Sequence, residues 1–295
     1  MNLRSLTFLG LSLLSTVFAG TAQAANPMGL AYSSTTNVSL YGKSTGVMVT
    51  GRCNRYNSVF ATVRSKGGEV LAYLNPTARP DHYVCALDTG FYMNNLGAVP
   101  LWPYPSYGQR FAWSGTNFTD IRPGSKWILW VVSYIEKLMR EGKVDGVFLD
   151  NVGARPWGQS QWNNWPQWEK DAWTDGNIDL VRRLDAKRRA IKPNFLIVNN
   201  NNWARGDTRG YAGEKYVDGI CLEHPTLWLT AYHKALAGKA YGNLGHRRVL
   251  VIARSVDEAR AWAAVKGVTH VSSQATGQYA YPTVPPVGFS DLNDR

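Results

Sequence analysis

The sequence predicts a single-domain α/β protein, a (β/α)8 barrel that follows an N-terminal signal peptide. Short apolar runs alternate with amphipathic helical segments along most of the chain, which is typical of parallel sheets with helical crossovers. Runs such as Gly146–Leu149 are too short for a helix and are bounded by polar residues, as expected of strands buried on both faces. No glycine-rich phosphate-binding loop follows the first predicted strand, which argues against an open nucleotide-binding sheet.

The first 24 residues predict a secretory signal. Arg4 precedes the apolar run Leu6–Ala19, and Ala22-Gln23-Ala24 provides the small residues of a cleavage site. We therefore expect an exported protein, secreted or periplasmic, without stable membrane insertion. The predicted organisation is a signal peptide at 1–24, a surface lead-in at 25–44, the barrel at 45–280 and a tail at 281–295.

The first half of the barrel is predicted from apolar runs and from the residues that interrupt them. Pro76 stops the second strand because proline cannot continue a central ladder. Proline and glycine break any period between residues 77 and 122, where we expect a third strand near 99–102 or 109–113. The other predicted elements are strands at 45–50, 69–74 and 146–149, and helices at 58–66 and 125–141.

The second half alternates more regularly. A polar insert rich in tryptophan follows the fourth strand, and it includes Trp157, Trp162, Trp165, Trp168 and Trp173. We expect one or two of these rings to stack on sugar and the others to cover the barrel rim. The predicted elements are strands at 195–198, 216–222, 249–253 and 269–273, and helices at 176–191, 227–236 and 256–266.

Two carboxylates stand at the ends of predicted strands. Asp150 closes the fourth strand and Glu223 closes the sixth, and the carboxyl ends of barrel strands face the site of catalysis. Paired carboxylates are the groups that glycosidic bond cleavage requires, one as an acid and one as a base or nucleophile. The alternatives are that Asp150 caps a turn, or that one carboxylate forms a structural ion pair with Arg254. Asp145 and Asp218, each in Val-Asp-Gly at a strand start, are predicted to be structural.

Other strand ends carry hydrogen-bonding side chains of the kind that line a sugar site. Their donors and acceptors favour a neutral polar ligand, a polysaccharide or an oligosaccharide. The predicted substrate-binding residues are Tyr73, Asn75, Asn151, Asn199, Asn200, Trp203, His224, Arg254 and Gln274.

Charge and cysteine content exclude several other classes. The net charge is +11, but the basic residues are scattered apart from 182–183 and 187–189, which we place on a solvated helix face. No nucleic-acid-binding motif is present, and neither the five histidines nor the three cysteines have metal-ligand spacing. We expect no metal and no cofactor. Cys53 and Cys85 are candidates for a disulfide, whereas Cys221 lies within a strand as a buried thiol.

The segment Asp145-Gly-Val-Phe-Leu-Asp150-Asn151, with the long helix before it, the Asn-rich fifth strand end and Glu223, resembles barrel-type glycoside hydrolases. The resemblance is to the endo-α-1,4-polygalactosaminidase type (glycoside hydrolase family 114) and allied hypothetical glycosyl hydrolases, over residues 45–275. It implies an α-linked glycan substrate, no cofactor, Asp150 as nucleophile and Glu223 as acid/base. The basic net charge is a mismatch with a cationic galactosamine polymer.

Two functions are compatible with these features. The first is an exported glycoside hydrolase that acts on a polysaccharide. The second is a carbohydrate-binding or cell-surface protein on the same scaffold, without catalysis; only the enzyme requires Asp150 and Glu223 to face each other. An esterase or deacetylase is disfavoured because the G-x-S-x-G match at Gly42-Lys43-Ser44-Thr45-Gly46 does not follow a predicted strand, as a nucleophile elbow requires, and because no metal-ligand spacing occurs in the sequence.

Overall fold

Eight parallel strands close into a barrel in the order of the chain. The structure is a computed structural model, and it describes residues 25–31, 46–78, 96–104, 117–156, 160–200, 211–223 and 247–273. Closure is made by β1, which pairs with β2 on one side and with β8 on the other. The predicted (β/α)8 fold is confirmed. The strands are β1 Asn26–Ala31, β2 Val47–Gly51, β3 Glu69–Leu74, β4 Gly146–Asp150, β5 Leu196–Asn200, β6 Gly219–Glu223, β7 Arg248–Ala253 and β8 His270–Ser273.

Two of the predicted strand positions are wrong. Asn26–Ala31, expected within a surface lead-in, is β1, so the barrel begins before residue 45. The third strand expected near 99–102 is not a barrel strand, because β3 pairs directly with β4, with Leu71 beside Gly146. The other expected position, 109–113, lies outside the described residues. Proline and glycine within the sequence of β1 obscure its short apolar alternation. The two errors cancel, so Asp150 still ends the fourth strand and Glu223 the sixth.

The helices lie between the strands, on the outside of the barrel. Ser125 caps α2 by accepting a hydrogen bond from the Ile128 backbone N–H at 3.1 Å, and Gly142 ends the helix in the left-handed conformation. Helix α3 begins well before the predicted residue 176, and the helix predicted at 227–236 lies outside the described residues. The helices are α1 Ser58–Ser65, α2 Lys126–Glu141, α3 Gln167–Ile191, α4 Tyr211–Glu214 and α5 Val256–Ala263, with short 3-10 helices at Arg52–Tyr56, Leu96–Ala98 and Ser160–Asn164.

Alternation along each strand produces two apolar layers. Residues that point inward fill the barrel interior, among them Leu71, Phe148, Val198, Cys221 and Leu250. The residues between them point outward and pack against the helices. The interior is therefore a packed core rather than a channel, and it provides a rigid base for the side chains at the carboxyl ends of the strands.

The two Val-Asp-Gly segments have the same structural role, as the sequence predicted. Asp145 accepts a hydrogen bond from the Val70 backbone N–H at 3.0 Å, and Asp218 accepts one from the Ile197 backbone N–H at 2.9 Å. Each carboxylate thus ties the start of its own strand to the preceding strand in the barrel. At the same end, Arg248 of β7 pairs with Glu69 of β3 on the opposite side of the barrel. This ion pair contributes to the floor of the interior.

Two of the three cysteines lie within the described part of the chain. Cys221 is a buried free thiol in β6, as predicted. Cys53 lies in the 3-10 helix that follows β2, and Cys85 lies outside the described residues. The Cys53–Cys85 disulfide remains a prediction.

Gly176 permits close packing of α3 against the loop before α2. A methyl group added there would lie 2.7 Å from the Ile121 carbonyl carbon. Relief of this contact requires one of the two backbone segments to shift, which lowers stability. We expect Gly176→Ala to lower the free energy of unfolding by about 2 kcal/mol, despite the better helix propensity of alanine. Urea unfolding measures this change.

The control is Gly142→Asn, where no atom lies within 4 Å of an added Cβ and asparagine tolerates the left-handed conformation. A change below about 0.5 kcal/mol is expected there. Equal effects of the two substitutions would contradict the packing role of Gly176.

Candidate active site

The two predicted carboxylates meet at the mouth of the barrel. Asp150 and Glu223 are the last residues of β4 and β6, and both follow the inward-facing positions of their strands, occupied by Phe148 and Cys221. Both side chains are half-buried. The strand period of two thus turns each carboxylate inward, above the packed interior.

A single amide joins the two carboxylates. The Asn200 side-chain nitrogen, Nδ2, donates one hydrogen bond to Asp150 Oδ1 at 3.0 Å and another to Glu223 Oε2. Asn200 ends β5, the strand that lies between β4 and β6 in the barrel. Its two N–H groups therefore reach one carboxylate on each side.

This bridge limits the distance between the carboxylates. Two oxygens that bond to the same nitrogen are less than about 6 Å apart, since each hydrogen bond is about 3 Å long. Among the described residues, no ion pair joins Arg254 to either Asp150 or Glu223, and the Arg254 side chain is exposed. The alternative of a structural ion pair with Arg254 is therefore not what the structure contains.

Tyr73 binds the other oxygen of Asp150. Its hydroxyl donates to Asp150 Oδ2 at 2.6 Å, and its ring lies against Phe148 with the centroids 6.3 Å apart. Burial and the negative charge of Asp150 raise the pKa of the Tyr73 phenol well above its ordinary value of 10. Tyr73 is therefore a protonated donor throughout the physiological range.

The electrostatics of the site favour retention of one proton. Burial, and then the negative charge of Glu223, raise the pKa of Asp150 from 3.8 to about 7, against the opposing effect of hydrogen bonds from Tyr73, Asn200 and the Asn151 backbone. Two carboxylates this close repel each other when both are ionised, so the pair favours a state that keeps a proton. Below about pH 7 the pair therefore retains at least one proton.

Three predicted asparagines lie near the carboxylates in different roles. Asn75 accepts hydrogen bonds from the backbone and the hydroxyl of Thr77, and its amide also interacts with the Tyr73 phenol. Asn151 is buried in the left-handed conformation, with φ 58°. Asn199 faces outward and donates to the Val152 carbonyl at 3.0 Å. The structure therefore brings Asn75 and Asn151 to the site and turns Asn199 away from it.

Of the other four predicted substrate-binding residues, only Arg254 lies within the described part of the chain. Arg254 follows β7, and its backbone N–H is bonded by Glu258 at the start of α5. Trp203, His224 and Gln274 lie outside the described residues. Their assignment to substrate binding remains a prediction.

The tryptophan-rich insert is largely structural in its described part. Trp165 and Trp173 are buried and pack with Trp102 and Phe118. The Trp102 indole donates to the buried Glu169 carboxylate at 2.9 Å. Trp162 is half-buried, Trp168 is 53% exposed, and Trp157 lies outside the described residues. Most of these rings therefore cover the barrel rim, as the sequence analysis expected.

Sequence reasoning placed the carboxylates but missed the way in which they are joined. It assigned Asn200 and Tyr73 to the substrate and did not pair them with Asp150. The signal that identifies them is the strand period: Tyr73, Asp150, Asn200 and Glu223 each stand two residues beyond an inward apolar side chain. The same rule excludes Asn199.

The described residues contain neither a metal site nor a membrane-spanning helix. No group of histidine, cysteine and acidic side chains there is arranged to hold a metal, and no helix in those segments is long and apolar enough to cross a membrane. The basic side chains of α3 are paired with carboxylates, Arg182 and Arg183 with Asp179, and Arg189 with Asp185. These three side chains lie on the solvated helix face that the sequence predicted. Arg188 was assigned to the same face, but its side chain is only 12% exposed and pairs with Asp185 and Asp218, so that part of the prediction is wrong.

Comparison with known proteins identifies the fold. No protein-family model and no curated protein matches the sequence. Among solved structures, the glycoside hydrolase domain of PelA from Pseudomonas aeruginosa is similar, with a TM-score of 0.53 and 13% identity over 86% of this chain and 96% of that one. Ega3 from Aspergillus fumigatus, in complex with galactosamine, has a TM-score of 0.52 and 12% identity over 85% and 91% of the two chains. The chain therefore has a barrel fold that these glycoside hydrolases share.

The buried carboxylate pair predicts a pH-dependent cost to stability. Because the pKa of Asp150 is raised from 3.8 to about 7, the folded state loses stability as pH rises across that interval. We expect Asp150→Asn to raise the melting temperature by several degrees at about pH 8 and to change it little at about pH 4. The asparagine can still accept from Asn200 and donate to the Tyr73 oxygen.

Asp257→Asn is the matched control, since Asp257 is an exposed aspartate in α5. It should change the melting temperature little at either pH. If Asp150→Asn were no more stable than the unsubstituted protein at about pH 8, the two carboxylates would not share a proton.

Proposed function

We propose that this protein is an exported glycoside hydrolase that cleaves glycosidic bonds of a polysaccharide with Asp150 and Glu223. The observation that carries the proposal is the bridge from Asn200 to both carboxylates at the barrel mouth. A pair of half-buried carboxylates that keeps a proton has the composition that glycoside hydrolysis requires. The fold shared with known glycoside hydrolases supports the same conclusion.

In the first step Asp150 is the nucleophile and Glu223 is the acid. A carboxylate oxygen of Asp150 forms a bond to the anomeric carbon while the bond from that carbon to the glycosidic oxygen breaks. Glu223 transfers its proton to the departing oxygen, which leaves as a hydroxyl of the released chain. Asp150 is thereby esterified to the sugar and Glu223 is ionised.

In the second step water releases the sugar. Glu223 accepts a proton from the water as the water oxygen bonds to the anomeric carbon, and the bond to Asp150 breaks. Both carboxyl groups return to their original protonation states.

The spacing of the carboxylates favours this two-step route. Retaining enzymes have carboxyl groups about 5–5.5 Å apart, whereas inverting enzymes leave about 6.5–9.5 Å for a water. The upper limit of about 6 Å set by the Asn200 bridge lies closer to the retaining arrangement. We therefore propose that the configuration at the anomeric carbon is retained.

For the substrate we propose an α-linked glycan, with hexosamine polymers as the first candidates. The Asp145–Asn151 segment resembles polygalactosaminidases, and the structurally similar Ega3 was solved with galactosamine. The net charge of +11 opposes binding of a cationic polymer. The carboxylate pair, however, retains one negative charge at the mouth, so the local field there can accept an amino sugar.

We propose that the protein acts outside the cytoplasm. The segment at residues 1–24 has the features of a signal peptide, and a Cys53–Cys85 disulfide is compatible with an oxidising compartment. The expected mature protein begins near Ala25 and gains two thiols on reduction. N-terminal sequencing and thiol counting of the exported protein test these two points separately.

The hydrolase activity is tested on a panel of polysaccharides that contains polygalactosamine, its N-acetylated form and neutral galactans. New reducing ends are measured for the unsubstituted protein, Asp150→Asn and Glu223→Gln. We expect cleavage of at least one polymer and a loss of about 10³-fold or more in each variant, because each substitution removes a group that acts in the transition state.

Asp257→Asn should retain full activity, which controls for the loss of an aspartate elsewhere. Activity that survives both active-site substitutions would mean that other residues catalyse the reaction. Binding of a glycan without release of reducing ends by the unsubstituted protein would instead identify a carbohydrate-binding protein on a hydrolase scaffold.

A further inference from the structure

We propose that Tyr104 and Trp168 form a second carbohydrate-binding site on the rim of the barrel, where the Trp168 ring stacks on a sugar of the polysaccharide away from the point of cleavage. These two side chains are called the rim platform below. The inference deepens the proposed function and rests on it, because it takes the same glycan as the ligand. It also gives one ring of the tryptophan-rich insert a role that packing of the rim does not explain.

The fold places the rim platform on the face of the barrel that carries the two carboxylates. Trp168 is the second residue of α3, the helix that follows β4, and Tyr104 lies in the connection between β3 and α2. A helix that follows a barrel strand begins near the carboxyl end of that strand. The connections that carry the platform therefore leave from the strand ends at which Tyr73 and Asp150 stand.

Trp168 exposes a large aromatic surface to solvent. Its relative exposure is 53%, and the other large apolar side chains exposed among the described residues are Tyr56 and Leu129. A single exposed apolar side chain is common on protein surfaces. Trp168 calls for a further explanation because other aromatic rings fix its position.

A continuous series of aromatic contacts anchors Trp168 to the buried rim. Its ring centroid lies 4.7 Å from that of Tyr104, with the two planes at 89°. Tyr104 lies 5.3 Å from the buried Trp102, at 87°, and Trp102 packs in turn with the buried Trp165 and Trp173. These edge-to-face contacts restrain the exposed ring before a ligand binds, which reduces the entropy lost on binding.

The charged groups beside Tyr104 are paired with each other. The guanidinium carbon of Arg122 lies 5.7 Å from the centroid of the Tyr104 ring, and two of its nitrogens donate to the two oxygens of Asp120 at 2.8 Å. The cation–π contact holds the Tyr104 ring in place, and Asp120 compensates the charge of Arg122. The platform therefore offers a ligand a mainly apolar surface.

The C–H groups on one face of a pyranose ring match this surface. That face is flat and apolar, whereas the hydroxyls lie around the edge of the ring and stay in contact with water. An indole combines a large flat apolar area with little conformational freedom to lose. Continuity with the barrel mouth favours the glycan over other occupants, because a polysaccharide bound between Asp150 and Glu223 extends onto the surrounding rim.

Binding is measured first, on a protein that lacks the proposed nucleophile. Asp150→Asn is titrated with polygalactosamine, with its N-acetylated form and with neutral galactans, and is compared with the double variant Asp150→Asn/Trp168→Ala. We expect the loss of the indole to raise the dissociation constant for at least one polymer by about tenfold or more. The ratio between the two proteins should be the same at about 0.05 M and about 0.5 M salt, because stacking is not an ion pair.

Two matched variants separate stacking from a loss of folding. Trp168→Phe keeps an aromatic face, and we expect it to raise the dissociation constant less than about threefold. Leu129→Ala removes an exposed apolar side chain of α2 and should leave binding unchanged. Thermal melting checks that each variant is folded.

Fluorine NMR of the protein labelled with 5-fluorotryptophan reports on the ring itself. The resonance that disappears in Trp168→Phe belongs to Trp168, and it should shift when the polymer is added. A resonance that stays in place at saturating polymer would show that the ring does not contact the glycan.

Kinetics separate the rim platform from the hydrolase proposal. Trp168→Ala should raise KM for a long polymer by about tenfold with kcat changed less than about twofold, since the ring acts away from the cleaved bond. If a polymer binds through Trp168 but none is cleaved, the platform stands and the hydrolase proposal fails. If a polymer is cleaved equally well with and without the indole, the reverse holds.

Two further results would overturn the platform. The first is that Asp150→Asn binds none of the polymers, or binds them no better than the double variant does. The second is self-association of the protein that Trp168→Ala abolishes while glycan binding is unchanged, which would assign this surface to a second copy of the chain.

Discussion

The site depends on the mutual repulsion of two half-buried carboxylates that are held within about 6 Å of each other. Burial and the negative charge of Glu223 raise the pKa of Asp150 from 3.8 to about 7, so the pair reduces its repulsion by keeping a proton. The donors of Tyr73 and Asn200 oppose this rise by stabilising the ionised form of Asp150. In the proposed function, this single constraint supplies both the carboxyl that donates a proton and the carboxylate that attacks the sugar.

The barrel holds the two carboxylates together by the rigidity of their strands. The side chains of the interior layer below the mouth are fully packed, and Phe148 and Cys221 lie directly beneath the two carboxylates on their strands. At the opposite end, Asp145 and Asp218 fix the starts of β4 and β6 to the preceding strands. The two strands that carry the carboxylates are thus anchored in the same way, which sets their heights relative to β5.

Much of this arrangement was predictable from sequence, but not all of it. Apolar runs and abrupt polar ends identified β4 and β6, because buried strands and barrel mouths leave strong local signals. β1 escaped detection since a strand of six residues containing Pro27 and Gly29 has little periodicity of its own. The bridge by Asn200 was missed because hydrogen bonds between strands distant in sequence have no local pattern, although the period of two separates Asn200 from Asn199 once β5 is placed.

The central claim is that Asp150 forms a covalent bond to the sugar while Glu223 handles the proton. The most direct measurement uses an oligosaccharyl fluoride of the sugar that the enzyme cleaves, since fluoride leaves without an acid. The reaction of the Glu223→Gln variant with this fluoride is quenched during turnover, and the peptides of the variant are analysed by mass spectrometry. The account predicts a glycosyl adduct on the peptide that contains Asp150. An adduct on another residue, or turnover with inverted configuration and no adduct, would contradict it.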